Sequence, residues 1–201
     1  MPTGTAARKR PGGRRAGDSG TRDAILDAAT KLFSQRGYQG SSLRAIAAAA
    51  GVDPALIRHF FGGKDTLFAT VVADRTTIME RLAGSLAGDQ RTAGLRVTRT
   101  YLRLWEEPQT RPVLLAIARS ATTSERAAQM LTEALGGKIR ATAGQQDTER
   151  IQRIALAGSH LFGLAVARHI IKQPSVAEMD LDQLIAQVAP TIQRYLTGNH
   201  L

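Results

Sequence analysis

No cysteine occurs among the 201 residues, which excludes disulfides, thiolate metal sites and cysteine nucleophiles. Aromatic residues make up only 4% of the chain, so its apolar mass is mainly Ala, Leu, Ile and Val. No segment keeps the two-residue alternation of a half-buried strand. Apolar residues instead return every three or four positions almost throughout, which is the helical period and predicts an all-α protein. Long hydrophobic runs are also missing. The longest, Ile154 to Ala167, contains Ser159 and His160 and is shorter than the roughly 20 residues a bilayer-spanning helix needs. The first twenty residues are basic, but no apolar stretch follows Arg14-Arg15, so they do not read as a secretion signal and a soluble cytoplasmic protein is expected. His160 and His169 lie nine residues apart without a third ligand, so no metal site is predicted. Neither a nucleophile–base arrangement, a Gly-rich phosphate loop nor a carboxylate pair is visible, so no enzyme and no cofactor are expected.

What is present is a hydrophobic share of 43%, enough for a real core, and a formal net charge of +10 with a pI near 11.0. So basic a surface attracts polyanions, either nucleic acid or an anionic membrane; the bland alternative is that it only keeps the protein soluble. Distribution helps to decide. Residues 1–68 hold eleven Lys or Arg against five Asp or Glu, while residues 69–201 hold sixteen against twelve. The first twenty residues have no apolar face to insert into a lipid surface, which argues against a membrane binder.

Residues 1–20, rich in Gly, Pro, Arg and Thr, read as a disordered basic arm. The arm either tracks phosphates or makes no defined contact. A helix is predicted from Thr21, with Ile25, Ala28, Ala29, Leu32 and Phe33 on one face, ending at Gly37. Ser41 or Ser42 caps a second helix whose Leu43, Ile46, Ala47 and Ala50 face inward. Gly51 supplies a left-handed exit, and Asp53 caps a third helix with Pro54 at its first position, running to about Phe60. Beyond Gly62-Gly63, a long helix from Lys64 carries Leu67, Val71, Ile78 and Leu82. Five more are expected over 92–105, 108–121, 124–139, 147–171 and 180–196, about nine in total, with Pro108, Gly136-Gly137, Gly144 and Pro174 as boundaries. The predicted organisation is an arm (1–20), a three-helix helix-turn-helix domain (21–66) and a larger helical domain (67–201).

The constellation from Leu43 to Phe60 carries the chemistry. Two short helices crossing closely need a small residue, Ala47; the turn four residues on needs a positive φ, which Gly51 allows. Val52 plugs the turn, and Ile57 and Phe60 anchor the second helix. In such a unit the second helix enters the major groove. Its outward positions are Asp53, Pro54, Ala55, Arg58 and His59. Arg58 can donate twice to a guanine, and Pro54 and Ala55 can pack on a thymine methyl. Arg44 is a second base or phosphate reader, Ser41, Ser42 and Lys64 are expected on phosphates, and Asp53 reads as a cap.

Gly37-Tyr38, Ser41-Ser42-Leu43-Arg44-Ala45-Ile46-Ala47, Ala50-Gly51-Val52 and Phe61-Gly62-Gly63-Lys64-Asp65-Thr66-Leu67-Phe68 together resemble the TetR/AcrR family of regulators. That family's recognition helix commonly ends aromatic, aromatic or His, His, Phe. The matching run here is Arg58-His59-Phe60-Phe61, so Phe60 does not repeat the histidine's phosphate contact. The resemblance implies a ligand-released repressor of double-stranded DNA, acting as a homodimer joined by the last two long helices. The sequence permits such a joint. Ala155, Ser159, Gly163 and Ala167 form a small-residue stripe, and Leu184, Val188 and Ile192 lie on an apolar face of the final helix. The alternative is that both faces pack within one subunit. The resemblance also implies a small apolar or amphipathic effector, for which Tyr101, Trp105, Met130, His160 and Phe162 are candidate lining residues, although residues of these types are more often plain core.

Overall fold

The protein is described from a computed structural model that covers residues 14–74, 77–143 and 147–198. All regular structure in the described residues is helical, in eleven α-helices rather than the nine expected. The first, α1 (Arg14–Arg36), begins seven residues before Thr21, so the second part of the expected arm is helix. Residues 1–13 lie outside the described residues. A helix extends cheaply once nucleated by the apolar face from Ile25 to Phe33, so its first turns need no buried face of their own.

α2 (Leu43–Ala50) is capped by Ser42, whose side chain accepts from Ala45 N, and closed by Gly51 at φ 67°. The Val52 N–H returns to the Ala47 carbonyl at 3.0 Å, completing the reversal. α3 (Pro54–Phe61) starts on Asp53, which accepts from Ala55 N at 2.7 Å, with Pro54 where a missing N–H costs nothing. α4 (Lys64–Asp74) and α5 (Thr77–Leu86) follow, either side of two residues outside the description. A 3-10 turn (Gln90–Thr92) leads into α6 (Ala93–Glu106), then α7 (Arg111–Thr123) and α8 (Glu125–Ala143). Gly136-Gly137 lies inside α8 and does not end it, contrary to the sequence reading. α9 (Thr148–Ala165) runs on as a π-helical segment (Val166–Ile171); a short α10 (Pro174–Ala177), unforeseen, precedes α11 (Leu181–Thr197). The continuous helical stretch Thr148–Ile171 is 24 residues and is apolar enough by composition to cross a membrane. The expectation that this region is too short therefore does not hold on length.

Two packing centres organise the chain. Around α1, Ile25, Phe33, Ile46, Ile57, Leu67, Phe68 and Val71 form one core, which also takes Ala116 of α7 and Ala127 and Leu131 of α8. This core crosses the boundary expected at residue 66, so the N-terminal helices are seated directly on α7 and α8. The other centre is built where α6 meets α11, α5 and α9. At the α6–α11 crossing, a Cβ added to Gly94 would stand 2.5–2.6 Å from backbone and Cβ atoms of Gln193. The Gly94 N–H donates to Gln193 Oε1 at 2.7 Å, and Gln193 Nε2 donates to the Gln90 carbonyl at 2.7 Å.

Candidate nucleic-acid interface

α3 is held by Ile57 and Phe61, both buried against α1 and α4, while Pro54, Ala55, Arg58 and His59 are exposed. Phe61, not Phe60, is thus the second anchor. Phe60 is half-buried beside His59, with ring centroids 5.2 Å apart. Helical spacing explains the shift, since Ile57 and Phe61 are four residues apart and share a face. Leu56, 37% exposed, joins the outward row and was missed, because a leucine on an amphipathic helix reads as core.

Arg44 is exposed in the first turn of α2, beside the exposed cap Ser42. Ser41 departs from expectation. It is fully buried and its hydroxyl donates to the Gly37 carbonyl at 2.8 Å. Its side chain therefore braces the turn after α1 and is withdrawn from any phosphate.

Lys64 opens α4 with its ammonium 4.2 Å from the centre of the Tyr38 ring, a cation–π contact. Partial burial lowers its pKa. The Tyr38 hydroxyl donates to Asp65 Oδ1, and Arg126 of α8 donates to Asp65 Oδ2 from Nε and Nη at 3.1 and 3.0 Å. The Tyr38 bond, and then Arg126, hold the Asp65 carboxyl below its usual range; burial and the Asp65 bond push Tyr38 up to about 12. This chain ties the start of α4 to α8. Tyr38 and Asp65 belong to the recognised motif, but Arg126 lies 61 residues from Asp65 and no spacing announces it.

The five effector candidates do not converge on one cavity. Tyr101, Trp105 and Phe162 pack with Ile78, Leu104, Val113, Leu114 and Ala118. Met130 instead packs at the edge of the N-terminal core, and His160 sits against Tyr195 with centroids 5.9 Å apart. Surface grooves among the described residues lie away from them. One, of about 510 Å³, lies between α1 (Asp27, Thr30, Lys31, Ser34) and Pro108, Gln109 and Pro112; another lies along α5 and α6, and neither is lined by any of the five. His169, passed over as a metal ligand, is buried and stacks on Trp105 at 4.8 Å and 4°. His169 Nε2 lacks a hydrogen-bond partner among the described residues. Desolvation drives the His169 pKa down to about 4, against the opposing pull of Glu106.

Of the residues expected at a subunit joint, Ala155, Ser159 and Gly163 are exposed on α9, Ala167 and Val188 are half-buried, and Leu156 beside them is 56% exposed. Leu184 and Ile192 are buried within the subunit, in the clusters of α6 and α9 residues. The broad apolar face of α11 is spent on α6, because Gly94 lets those two helices touch.

A short helix held by two apolar anchors, capped at both ends and turned outward behind a left-handed glycine, defines a helix-turn-helix DNA-binding protein. Residues 25–71 match bacterial regulatory proteins of the tetR family, and residues 91–196 match the tetracyclin repressor-like C-terminal domain. The crystal structure of the TetR-family regulator SCO0857 from Streptomyces coelicolor A3 is 33% identical and superposes with a TM-score of 0.65 over 92% of this chain and 99% of that one. NalD, the secondary repressor of the MexAB-OprM efflux pump in Pseudomonas aeruginosa, shares the fold at 20% identity, with a TM-score of 0.68 over 90% of this chain and 98% of that one. The HTH-type transcriptional repressor Rv3405c of Mycobacterium tuberculosis is 41% identical over 83 residues, which is 41% of this chain and 42% of that protein. YttP, a probable HTH-type regulator of Bacillus subtilis, is 41% identical over 54 residues, 27% of this chain and 26% of its own length. The matched segment therefore spans less than half of these curated relatives. The chain belongs to the TetR family, whose members are DNA-binding transcriptional regulators rather than enzymes.

Proposed function

We propose that the protein is a ligand-released repressor that binds a pseudo-palindromic operator as a homodimer. The observation that carries the DNA reading is the outward row of Pro54, Ala55, Arg58 and His59 on α3. Arg58 reads a guanine edge and Pro54 and Ala55 meet a thymine methyl, while Ser42, Arg44 and Lys64 hold phosphates on either side. Such a row reads one half-site, so a second copy is needed about 34–36 Å away to read the other. The second copy has a place to join. The apolar stretch Thr148–Ile171 has only 22% of its most apolar window buried in the subunit. Covering Leu156, Ala155, Ser159 and Gly163 with the same face of a partner would remove that apolar surface from water. A soluble cytoplasmic regulator accounts for this helix without a membrane.

An apolar or amphipathic effector would enter beside Tyr101, Trp105 and Phe162 and favour a dimer whose recognition helices no longer match the groove spacing. Support comes from the buried His169 Nε2, which has no hydrogen-bond partner among the described residues, on a ring stacked against Trp105. A structural neighbour with the same fold, FadR of Bacillus subtilis (19% identical, TM-score 0.61), was solved in complex with stearoyl-CoA. Selecting bound duplexes from a random pool tests the whole reading. A two-fold symmetric site is expected, and Arg58→Ala should lose about 1–3 kcal/mol and relax preference at one position per half-site. Equal binding of every duplex would refute sequence-specific recognition.

A further inference from the structure

The groove between α5 and α6 has a volume of about 310 Å³ and is lined by Arg81, Ser85, Arg96, Arg99 and Thr100. Three arginines line it, and their bonding differs in a way that leaves charge over. Arg81 is neutralised by a two-pronged pair with Glu107 at 2.5 and 2.7 Å. Arg96 is fixed by neutral oxygens: Nε donates to the Ser85 carbonyl, Nη1 to the Asp89 carbonyl and the Thr92 hydroxyl, and Nη2 to the Ala87 carbonyl. Those bonds immobilise the group and leave one Nη2 hydrogen unused, since a guanidinium has five. The nearby carboxylate of Asp89 is itself held by Arg91 at 2.9 Å. Arg99 is exposed and forms no ion pair or hydrogen bond among the described residues, and the Thr100 hydroxyl is likewise unpaired. One turn further along α6, Arg103 is drawn towards Asp182 of α11 at 3.9 Å and away from this set.

We propose that this groove binds a phosphate-bearing small molecule, gripped by Arg99, the fixed edge of Arg96 and the Thr100 hydroxyl. Arg99, which has no carboxylate partner among the described residues, and Arg96, whose neighbour Asp89 is already paired with Arg91, leave positive charge that suits a dianion. A phosphate ester or diphosphate supplies that charge on oxygens spaced for paired guanidinium donors, whereas a single carboxylate supplies half of it. The volume suits a phosphorylated headgroup and lies at the small end of ligand sites. Among the close-packed helix pairs none joins α5 or α6 to α2 or α3, so the groove is not packed on the DNA-reading helices; it shares α5 and α6 with the effector entry proposed above but is lined by none of its residues.

The test is titration calorimetry on the full chain with inorganic pyrophosphate and, separately, a nucleoside diphosphate. About 150 mM salt is used, to screen loose association. Expected is saturable binding of both, weakened at least about tenfold by Arg99→Ala and unchanged by Arg58→Ala. Tighter binding of the nucleoside diphosphate would show the groove also touching the nucleoside; equal binding would show that it reads phosphate alone. Arg99 is exposed, so its variant should keep the wild-type circular dichroism and melting profile. The proposal is overturned if neither probe binds, if Arg99→Ala binds like the wild type, or if Arg58→Ala abolishes binding. It is equally overturned if Arg99→Ala weakens duplex binding across all sequences, because the groove would then be a second DNA contact.

Discussion

His169 makes the stability of this protein depend on pH in a range where few other groups titrate. Its ring lies flat on Trp105, is buried, and has Nε2 4.0 Å from Glu106 without a hydrogen bond. Protonation in the folded state must place a charge there, so the pKa falls from 6.5 to about 4, with desolvation the largest cause and Glu106 opposing it. Between those values the unfolded chain binds the proton and the folded chain does not, so stability rises with pH. The contribution is complete above about 6.5 and is lost progressively as pH falls towards 4. Integrating the difference gives roughly 2 kcal/mol lost by about pH 5 relative to pH 7.5. The perturbation that isolates it is His169→Phe, which keeps a ring on Trp105 but removes the titrating nitrogen. Urea unfolding of both proteins, followed by circular dichroism at the two pH values, gives the comparison. Background carboxylates contribute equally to both chains and cancel in the difference. The wild type should lose about 2 kcal/mol more than the variant on acidification. If the two lose the same amount, the histidine is not held neutral by its surroundings and the reasoning fails.

Gly94→Ala should be strongly destabilising, by roughly 2–4 kcal/mol, because its Cβ would overlap the Gln193 backbone and push α6 from α11; a thermal midpoint within a degree or two of wild type would contradict the close crossing. The Asp65–Arg126 contact is about half exposed on both sides, so Asp65→Asn and Arg126→Ala should show a coupling of only about 0.5–1 kcal/mol in a double-mutant cycle. That coupling should be full near neutrality and vanish as acid titrates the Asp65 carboxyl, which is held below its usual range; a coupling that does not change as the carboxyl is protonated would exclude it as the source. If the proposed dimer joins through α9, Leu156→Arg, at an exposed position on that helix, should leave the melting of the monomer fold intact and halve the mass seen by sedimentation; a variant that sediments like the wild-type dimer would move the subunit joint elsewhere, and a monomeric wild type would refute the dimer.

Much of the N-terminal architecture was readable before any coordinates, because it rests on local physics. The caps Ser42 and Asp53, the helix start at Pro54 and the reversal at Gly51 depend on neighbours within five residues, and so does the outward aim of Arg58 and His59. Other features depend on burial that local sequence does not show. The Ser41 hydroxyl turns back onto the Gly37 carbonyl only four residues away, but that this turn is buried in the core, and so withdrawn from a phosphate, is decided by the packing around it. An unbroken helix through Gly136-Gly137 likewise runs against local propensity alone.

Spacing and composition alone determined that the chain is helical and basic, and that it carries a reversing glycine between two short amphipathic helices. Only tertiary packing decided which of two equally apolar faces stays uncovered. Leu184 and Ile192 were consumed by α6 because Gly94 has no side chain to hold α11 away, whereas Leu156 and its small neighbours on α9 stay mostly exposed among the described residues. Periodicity shows that a face is apolar; it carries no information about what, across a hundred residues of chain, arrives to cover it.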